Sequence, residues 1–140
     1  MTPAVLDANV LLHAMFRTGP HAAAVEALQT YLPVAPDMLA VECANAVSTM
    51  VRAGALGVDD AQSVLDGLLA PVTLRNSRGI LGDALAISLR AGHPLYDCLY
   101  VAVAATLDVA VVTADKRFAK AFADDPAVTI IDLHSWAARP

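Results

Sequence analysis

Four acidic residues of this chain lie where a lone charge is unfavourable, at the end of an apolar run or within an apolar helical pattern. They are Asp7, Glu42, Asp97 and Asp115. A buried carboxylate costs several kcal/mol unless it is paired or binds a metal. Only Asp115 has basic residues next to it in the sequence. The four acids therefore indicate one shared cation.

The donor atoms of such a site would all be oxygens, because no His or Cys residues cluster at ligand spacing. Oxygen donors favour the hard cations Mg²⁺ or Mn²⁺ over zinc. An ion of this kind lowers the pKa of a bound water and stabilises negative charge on a phosphoryl oxygen. Carboxylates combined with Mg²⁺ thus favour hydrolysis of a nucleic-acid phosphodiester.

The elements that must position these acids alternate between strands and helices. With 140 residues, the chain is expected to form a single α/β domain over residues 1–140, with a short, mainly parallel central sheet flanked by helices. Strands are predicted at 3–6, 71–74, 109–113 and 128–131, with a brief one at 33–36. Helices are predicted at 9–16, 20–32, about 38–52, about 59–69, about 78–91, 94–107 and 116–122.

In sheets of this class, ligands bind beyond the carboxyl ends of the strands. Asp7 directly follows the first predicted strand, and Asp115 follows the strand at 109–113 by two residues. Asp115 is also placed to cap the short helix after it, and Asp37 is placed to cap the helix that carries Glu42. Asp97 falls in the first turn of its helix, where the helix dipole favours a carboxylate.

The net charge of the chain argues against a nucleic-acid partner, whereas the four acids favour one. The formal net charge is −5, which by itself argues against a polyanionic partner. One or two bound divalent cations would bring the effective charge close to zero. Steering would then depend on local basic groups, and Lys116 and Arg117 beside Asp115 are the candidates for contact with nucleic-acid phosphates.

Cys43 and Cys98 lie in apolar helical patterns and are expected to be free thiols, as in a reducing compartment. Neither a signal peptide nor a membrane span is predicted, so the expected location is the cytoplasm. Hydrophobic residues make up 57% of the chain, which favours a second copy or a partner covering one apolar face.

The acids stand in four motifs: Leu-Asp-Ala-Asn at 6–9, Glu-x-x-Asn at 42–45, Leu-Tyr-Asp-Cys at 95–98 and Thr-Ala-Asp-Lys-Arg-Phe at 113–118. In this order, the motifs resemble those of the PIN-domain ribonucleases, and in particular the VapC-type toxins of bacterial toxin–antitoxin pairs. The resemblance covers nearly the whole chain. It implies Mg²⁺-dependent cleavage of RNA, a homodimer, and a cognate antitoxin that occupies the active site.

By this resemblance, Asp7, Glu42, Asp97 and Asp115 are the metal-binding and catalytic acids, with Asp115 at the most variable position. Asn9 and Thr113 match polar positions of the family and are expected to hold acids or waters by hydrogen bonds. Two alternatives stay open. One is a phospho-receiver-like signalling module, which would need adjacent acids after the first strand. The other is a catalytically inactive PIN-fold binding protein.

Overall fold

The computed structural model describes residues 1–138; residues 139 and 140, which the predicted domain includes, lie outside that range. All five strands are parallel, in the order β3-β2-β1-β4-β5. The strands are β1 (Thr2–Leu6), β2 (Tyr31–Pro36), β3 (Thr73–Arg75), β4 (Val111–Thr113) and β5 (Ile130–Asp132). The predicted α/β fold with a parallel sheet is confirmed.

Seven α-helices flank this sheet in the part of the chain that is described. They are α1 (Ala8–Phe16), α2 (His21–Thr30), α3 (Met38–Arg52), α4 (Ala61–Leu69), α5 (Leu81–Ala91), α6 (Leu95–Leu107) and α7 (Lys116–Phe122). Short 3₁₀ segments cover Val58–Asp60, Ser77–Ile80 and Leu133–Ala138. Within residues 1–138 no helix combines the length and the apolar character that crossing a membrane requires.

The core lies on both faces of β1, which is the central strand. On one face the side chains of α6 pack from Cys98 to Ala104, all of them buried, and this explains the continuous apolar sequence of that helix. On the other face a smaller cluster joins β1 and β4 to α2 through Leu6, Val112 and Ala24. Parallel strands buried on both faces need such apolar runs.

Two local predictions were wrong. The helix predicted over 20–32 ends at Thr30, because residues 31–36 form β2 and pair in parallel with β1. Pro33 favours this outcome, since it cannot continue a helix and it restricts the residue before it to extended backbone. Asp37 stands at the predicted N-cap position of α3, but its side chain does not cap the helix: its Oδ1 instead accepts hydrogen bonds from the backbone and hydroxyl of Ser77.

The strand order places a crevice between β1 and β4. The chain builds β2 and β3 on one side of β1 and then crosses to build β4 and β5 on the other side. A parallel sheet binds ligands at such a switch point, beyond the carboxyl ends of its strands. α3 starts at this edge directly after β2, and α6, which leads into β4, begins at the same edge.

Candidate active site

Asp7 is fixed in this crevice by side chains from two strand ends. It follows β1, is only 6% exposed, and accepts a hydrogen bond at Oδ2 from the hydroxyl of Thr113 at 2.8 Å. The amide nitrogen of Asn9 lies 3.2 Å from the same oxygen. The amide oxygen of Asn9 accepts the backbone N–H of Ala114 at 3.0 Å, which ties the start of α1 to the end of β4.

The environment of Asp7 favours its protonated form. Burial raises the pKa of this carboxyl to about 7, the hydrogen bond from Thr113 opposes the shift, and the charges of Glu42 and Asp97 add to it. A carboxylate whose pKa is raised by neighbouring acids belongs to a like-charged cluster. The structure thus brings acids from three separate elements into electrostatic contact.

Glu42 reaches the site from the second turn of α3 and is half-buried. The hydroxyl of Tyr100 donates a hydrogen bond to its Oε1 at 2.6 Å. Burial raises the pKa of Glu42, the Tyr100 hydroxyl lowers it, and the charge of Asp97 raises it again. Tyr100 is 1% exposed, so the bond also satisfies a hydroxyl that would otherwise be buried without a partner.

Asp97 lies in the first turn of α6 and contacts His93. The Nε2 atom of His93 lies 2.7 Å from Oδ2 of Asp97 and donates to it when the carboxyl is ionised. The ring of His93 is 9% exposed and packs against Phe118 and Phe122 of α7. Burial raises the pKa of Asp97, His93 lowers it, and the charge of Asp115 raises it.

Asp115 has a different local role from the other three acids. Its Oδ1 accepts the backbone N–H groups of Arg117 at 2.9 Å and Phe118 at 3.1 Å, so it caps α7 as the sequence predicts. Its own backbone N–H donates to the hydroxyl of Thr113 at 3.0 Å. It follows the carboxyl end of β4, so it lies at the same edge of the sheet as Asp7, and its charge raises the pKa of Asp97.

The donor set suits a hard divalent cation. All four candidates offer carboxylate oxygens, and within residues 1–138 no Lys or Arg forms an ion pair with any of them. No hydrogen bond from the described residues reaches Oε2 of Glu42 or Oδ1 of Asp97, which leaves an oxygen on each for a cation. As the side chains lie, however, no three acidic, His or Cys groups of the described residues already converge on one metal position. Binding of one ion by three of these groups therefore requires rotation of side chains.

Comparison with known proteins shows the family of the chain. The family model described as "PIN domain" matches residues 4–122. The chain belongs to the PIN domain family. A ribonuclease VapC3 of Mycobacterium tuberculosis is 34% identical over 120 residues, covering 84% of this chain and 86% of that protein. A ribonuclease VapC1 from the same organism is 30% identical over 122 residues, covering 86% and 92%. Within the PIN family, the chain thus groups with the VapC ribonucleases.

The fold of this PIN domain also matches solved structures. A toxin–antitoxin complex from Klebsiella pneumoniae superposes with a TM-score of 0.67 at 16% identity, covering 93% of this chain and 97% of that one. At this level of identity the likeness establishes the shared fold. It gives no support to a phospho-receiver module, and the strand at 73–75 is at the edge of the sheet and has no acid at its end.

Two neighbours of the PIN-domain acids were not assigned to the site from the sequence. Tyr100 and His93 are both buried, and each forms a hydrogen bond with an acid of the site, Tyr100 with Glu42 and His93 with Asp97. The spacing His93–Asp97, four residues apart at the start of a helix, is a signal that could have indicated the second contact. The contact between Tyr100 and Glu42 joins residues 58 positions apart and has no local signal.

Proposed function

We propose that this PIN domain is a Mg²⁺-dependent endoribonuclease that hydrolyses RNA phosphodiester bonds and acts as the toxin of a VapBC-type toxin–antitoxin pair. One observation carries the proposal: Asp7, Glu42, Asp97 and Asp115 come from four separate elements to one edge of the sheet, without a Lys or Arg counter-charge from residues 1–138. The charges of Glu42 and Asp97 raise the pKa of Asp7, and the charge of Asp115 raises that of Asp97. The names of the VapC relatives supply the class of substrate.

In this proposal, Asp7 and Asp97 hold the cation directly, and Asp115 holds it through water or binds a second ion. A bound divalent cation lowers the pKa of water and stabilises negative charge on a phosphoryl oxygen. Asn9 and Thr113 keep the Asp7 carboxylate in one orientation through the hydrogen bonds described above. Mg²⁺ is the proposed ion, with Mn²⁺ as a substitute of similar ligand preference.

Glu42 either joins the ligands or acts as the base that takes a proton from the attacking water. Its raised pKa suits the second role, since a general base works best when its pKa lies near the working pH. The hydrogen bond from Tyr100 leaves one carboxylate oxygen of Glu42 to do this while the other is held in place.

For substrate contact we propose Lys116 and Arg117, which follow Asp115 on α7 and are exposed. Cationic side chains beside the acids would bind RNA phosphates and offset the net charge of −5. The reaction is proposed to take place in the cytoplasm, in keeping with the free thiols of Cys43 and Cys98.

We also propose a separately encoded antitoxin as partner and a homodimer as the working form. The first is supported by the toxin–antitoxin complex among the structural neighbours. The second is supported by an apolar stripe on α5, where Leu81, Leu85 and Leu89 share one face and are 45%, 53% and 76% exposed. Sedimentation should give a dimer that Leu85→Glu converts to a monomer; a wild-type monomer would contradict this.

The test of the function is cleavage of end-labelled total RNA by the purified full chain, freed of antitoxin. Reactions contain Mg²⁺ or EDTA, and the variants Asp97→Asn and Asp37→Asn are prepared identically. Asp37 is a matched control, because it is exposed and bonds to Ser77 rather than to the site. Discrete fragments that require Mg²⁺ and Asp97 but not Asp37 are expected. No cleavage by folded protein would favour the inactive binding protein instead.

A further inference from the structure

The only two lysines of the chain, Lys116 and Lys120, line the same cleft beside the proposed active site. We call this the lysine cleft; it lies between α7, β5 and the 3₁₀ segment Leu133–Ala138, and its volume is about 510 Å³. Sites for small ligands typically measure about 300–1,000 Å³. The cleft is thus large enough for a nucleotide.

One wall of the lysine cleft is cationic. Lys116 and Lys120 stand four residues apart on α7, which places them on one face of the helix with Cβ atoms about 5–6 Å apart. Both are exposed, and neither forms an ion pair with another residue in the range 1–138. Arg117, in contrast, does not line the cleft. Of the two residues proposed above for RNA contact, only Lys116 therefore belongs to this site.

The rest of the lining has a different chemistry. Four residues are apolar and are called the floor here: Ala119, Ala123, Ile130 and Ile131; the other polar residues are Asp132 and Ser135. An apolar surface can cover the face of a base of any identity, because burial of apolar area is not directional. The carboxylate of Asp132 repels phosphates, which favours placing them on the lysine wall, and it can accept a hydrogen bond from an N–H group of a base, such as the ring N–H of uracil.

The lysine cleft adjoins the acids through the sheet. Asp132 at the end of β5 pairs with Thr113 at the end of β4, and Thr113 donates to Asp7 at 2.8 Å. Neighbouring strands lie about 4.8 Å apart. Lys116 directly follows Asp115, whose charge acts on Asp97. A strand of RNA with its scissile phosphate at the acids would reach the cleft within a few nucleotides.

From this arrangement we infer that the lysine cleft binds a nucleotide flanking the cleaved bond of single-stranded RNA, with phosphates on Lys116 and Lys120 and the base on the apolar floor. The inference rests on the proposed function for the identity of the nucleic acid. It adds a site on the β5 side of the sheet, and it assigns Lys120, Asp132 and Ser135 to substrate binding.

Because the chain has only two lysines, binding can be observed directly without cleavage. Reductive methylation with ¹³C-formaldehyde keeps the positive charge of each amine and gives separate NMR signals for Lys116, Lys120 and the α-amine of Met1. Met1 is 70% exposed and serves as an internal control. The probe is hexauridylate in EDTA at low salt, with inorganic phosphate as a separate titrant.

Both lysine signals should shift together and saturate with hexauridylate, while the Met1 signal stays in place. No shift, or an equal shift with inorganic phosphate at the same concentration, would overturn the inference. The result is separable from that of the cleavage test. Cleavage of RNA without a shift of the lysine signals would contradict only the inference about the lysine cleft. A shift of these signals without cleavage would contradict only the proposed ribonuclease activity.

A kinetic test uses Lys120→Ala, Lys120→Arg and the control Arg52→Ala. Arg52 is also an exposed cation, but it lies about 15 Å beyond Glu42 along α3. Lys120→Ala should raise KM severalfold with little change in kcat and reduce the slope of log affinity against log salt by about 0.7. Lys120→Arg should restore most of the affinity. Equal effects of Lys120→Ala and Arg52→Ala would show that only the overall charge matters, which would overturn the site.

Discussion

The carboxyl edge of the sheet carries its clustered acids and its two lysines on different sides. Over β1 and β2, the carboxylates of Asp7, Glu42 and Asp97 are held by Thr113, Tyr100 and His93. Over β4 and β5, Lys116 and Lys120 extend from α7 without an ion pair to any residue in the range 1–138. Each side thus keeps its charge available instead of neutralising the other.

This separation explains how an acidic chain can act on an acidic polymer. An ion pair between the two sides would satisfy both, but it would remove the cation ligands and the phosphate contacts together. Hydrogen bonds from a hydroxyl, a phenol and an imidazole orient the carboxylates without a fixed counter-charge, so the charge remains for a metal ion. The net charge of −5 is therefore a poor indicator of the partner, and the positions of the charged side chains are a better one.

The largest change expected on the acidic side comes from Asp97→Asn. Cleavage should fall by more than about a hundredfold, because the variant removes a proposed ligand rather than an outer contact. In metal-free buffer the same variant should melt at a higher temperature than wild type, because one of several like charges is gone. A variant less stable than wild type without metal would count against a shared cluster.

Tyr100→Phe tests whether the hydrogen bond from Tyr100 sets the pKa of Glu42 and supports activity. The loss of this hydroxyl should reduce activity by about ten- to a hundredfold. It should also raise the pKa of Glu42, because the hydrogen bond lowers it, so the acidic limb of the rate–pH profile should move to higher pH. Tyr96→Phe is the matched control, since Tyr96 lies on the same helix and is 69% exposed. Equal profiles for the two variants would refute the tuning role.

His93 should have a smaller effect through the orientation of Asp97. His93→Leu keeps much of the packing against Phe118 and Phe122 but removes the donor, and should cost about tenfold in kcat. His93→Gln, which can still donate to the carboxylate, should recover part of the loss. If Leu and Gln at this position have the same activity, the hydrogen bond does not contribute and His93 is a packing residue only.

The smallest effect is a dependence of metal-free stability on pH. The pKa of Asp7 is raised from 3.8 to about 7 in the folded protein, so the protonated carboxyl favours the folded state. This contribution to the free energy of unfolding is complete below pH 3.8 and is lost as the pH rises to about 7. The difference in melting temperature between wild type and Asp7→Asn should therefore change across this window, by an amount on the order of 5 °C. Parallel curves of melting temperature against pH for the two proteins would show that folding does not raise the pKa of Asp7.

From the sequence, the acids could be placed at one edge of the sheet and Asn9 and Thr113 could be expected as hydrogen-bond partners, but Tyr100 and His93 could not. Asp7 and Asp115 could be placed because strand ends meet at one edge of a parallel sheet, and α3 was predicted over its observed length. Contacts such as Glu42–Tyr100 depend on how α3 and α6 pack, which the pattern along one helix does not specify. Asp37 shows the same limit: its sequence context favours a cap, but the distant Ser77 takes its carboxylate.

The central claim is that acids from four elements together form one binding site for a divalent cation. Mn²⁺ binding, followed by electron paramagnetic resonance, tests it most directly. Wild type should bind Mn²⁺ saturably, Mg²⁺ should compete, and Asp7→Asn, Glu42→Gln and Asp97→Asn should each weaken binding. Asp37→Asn, an exposed acid at the same edge of the sheet, should bind as wild type does. Unchanged Mn²⁺ affinity in all three site variants would contradict the account.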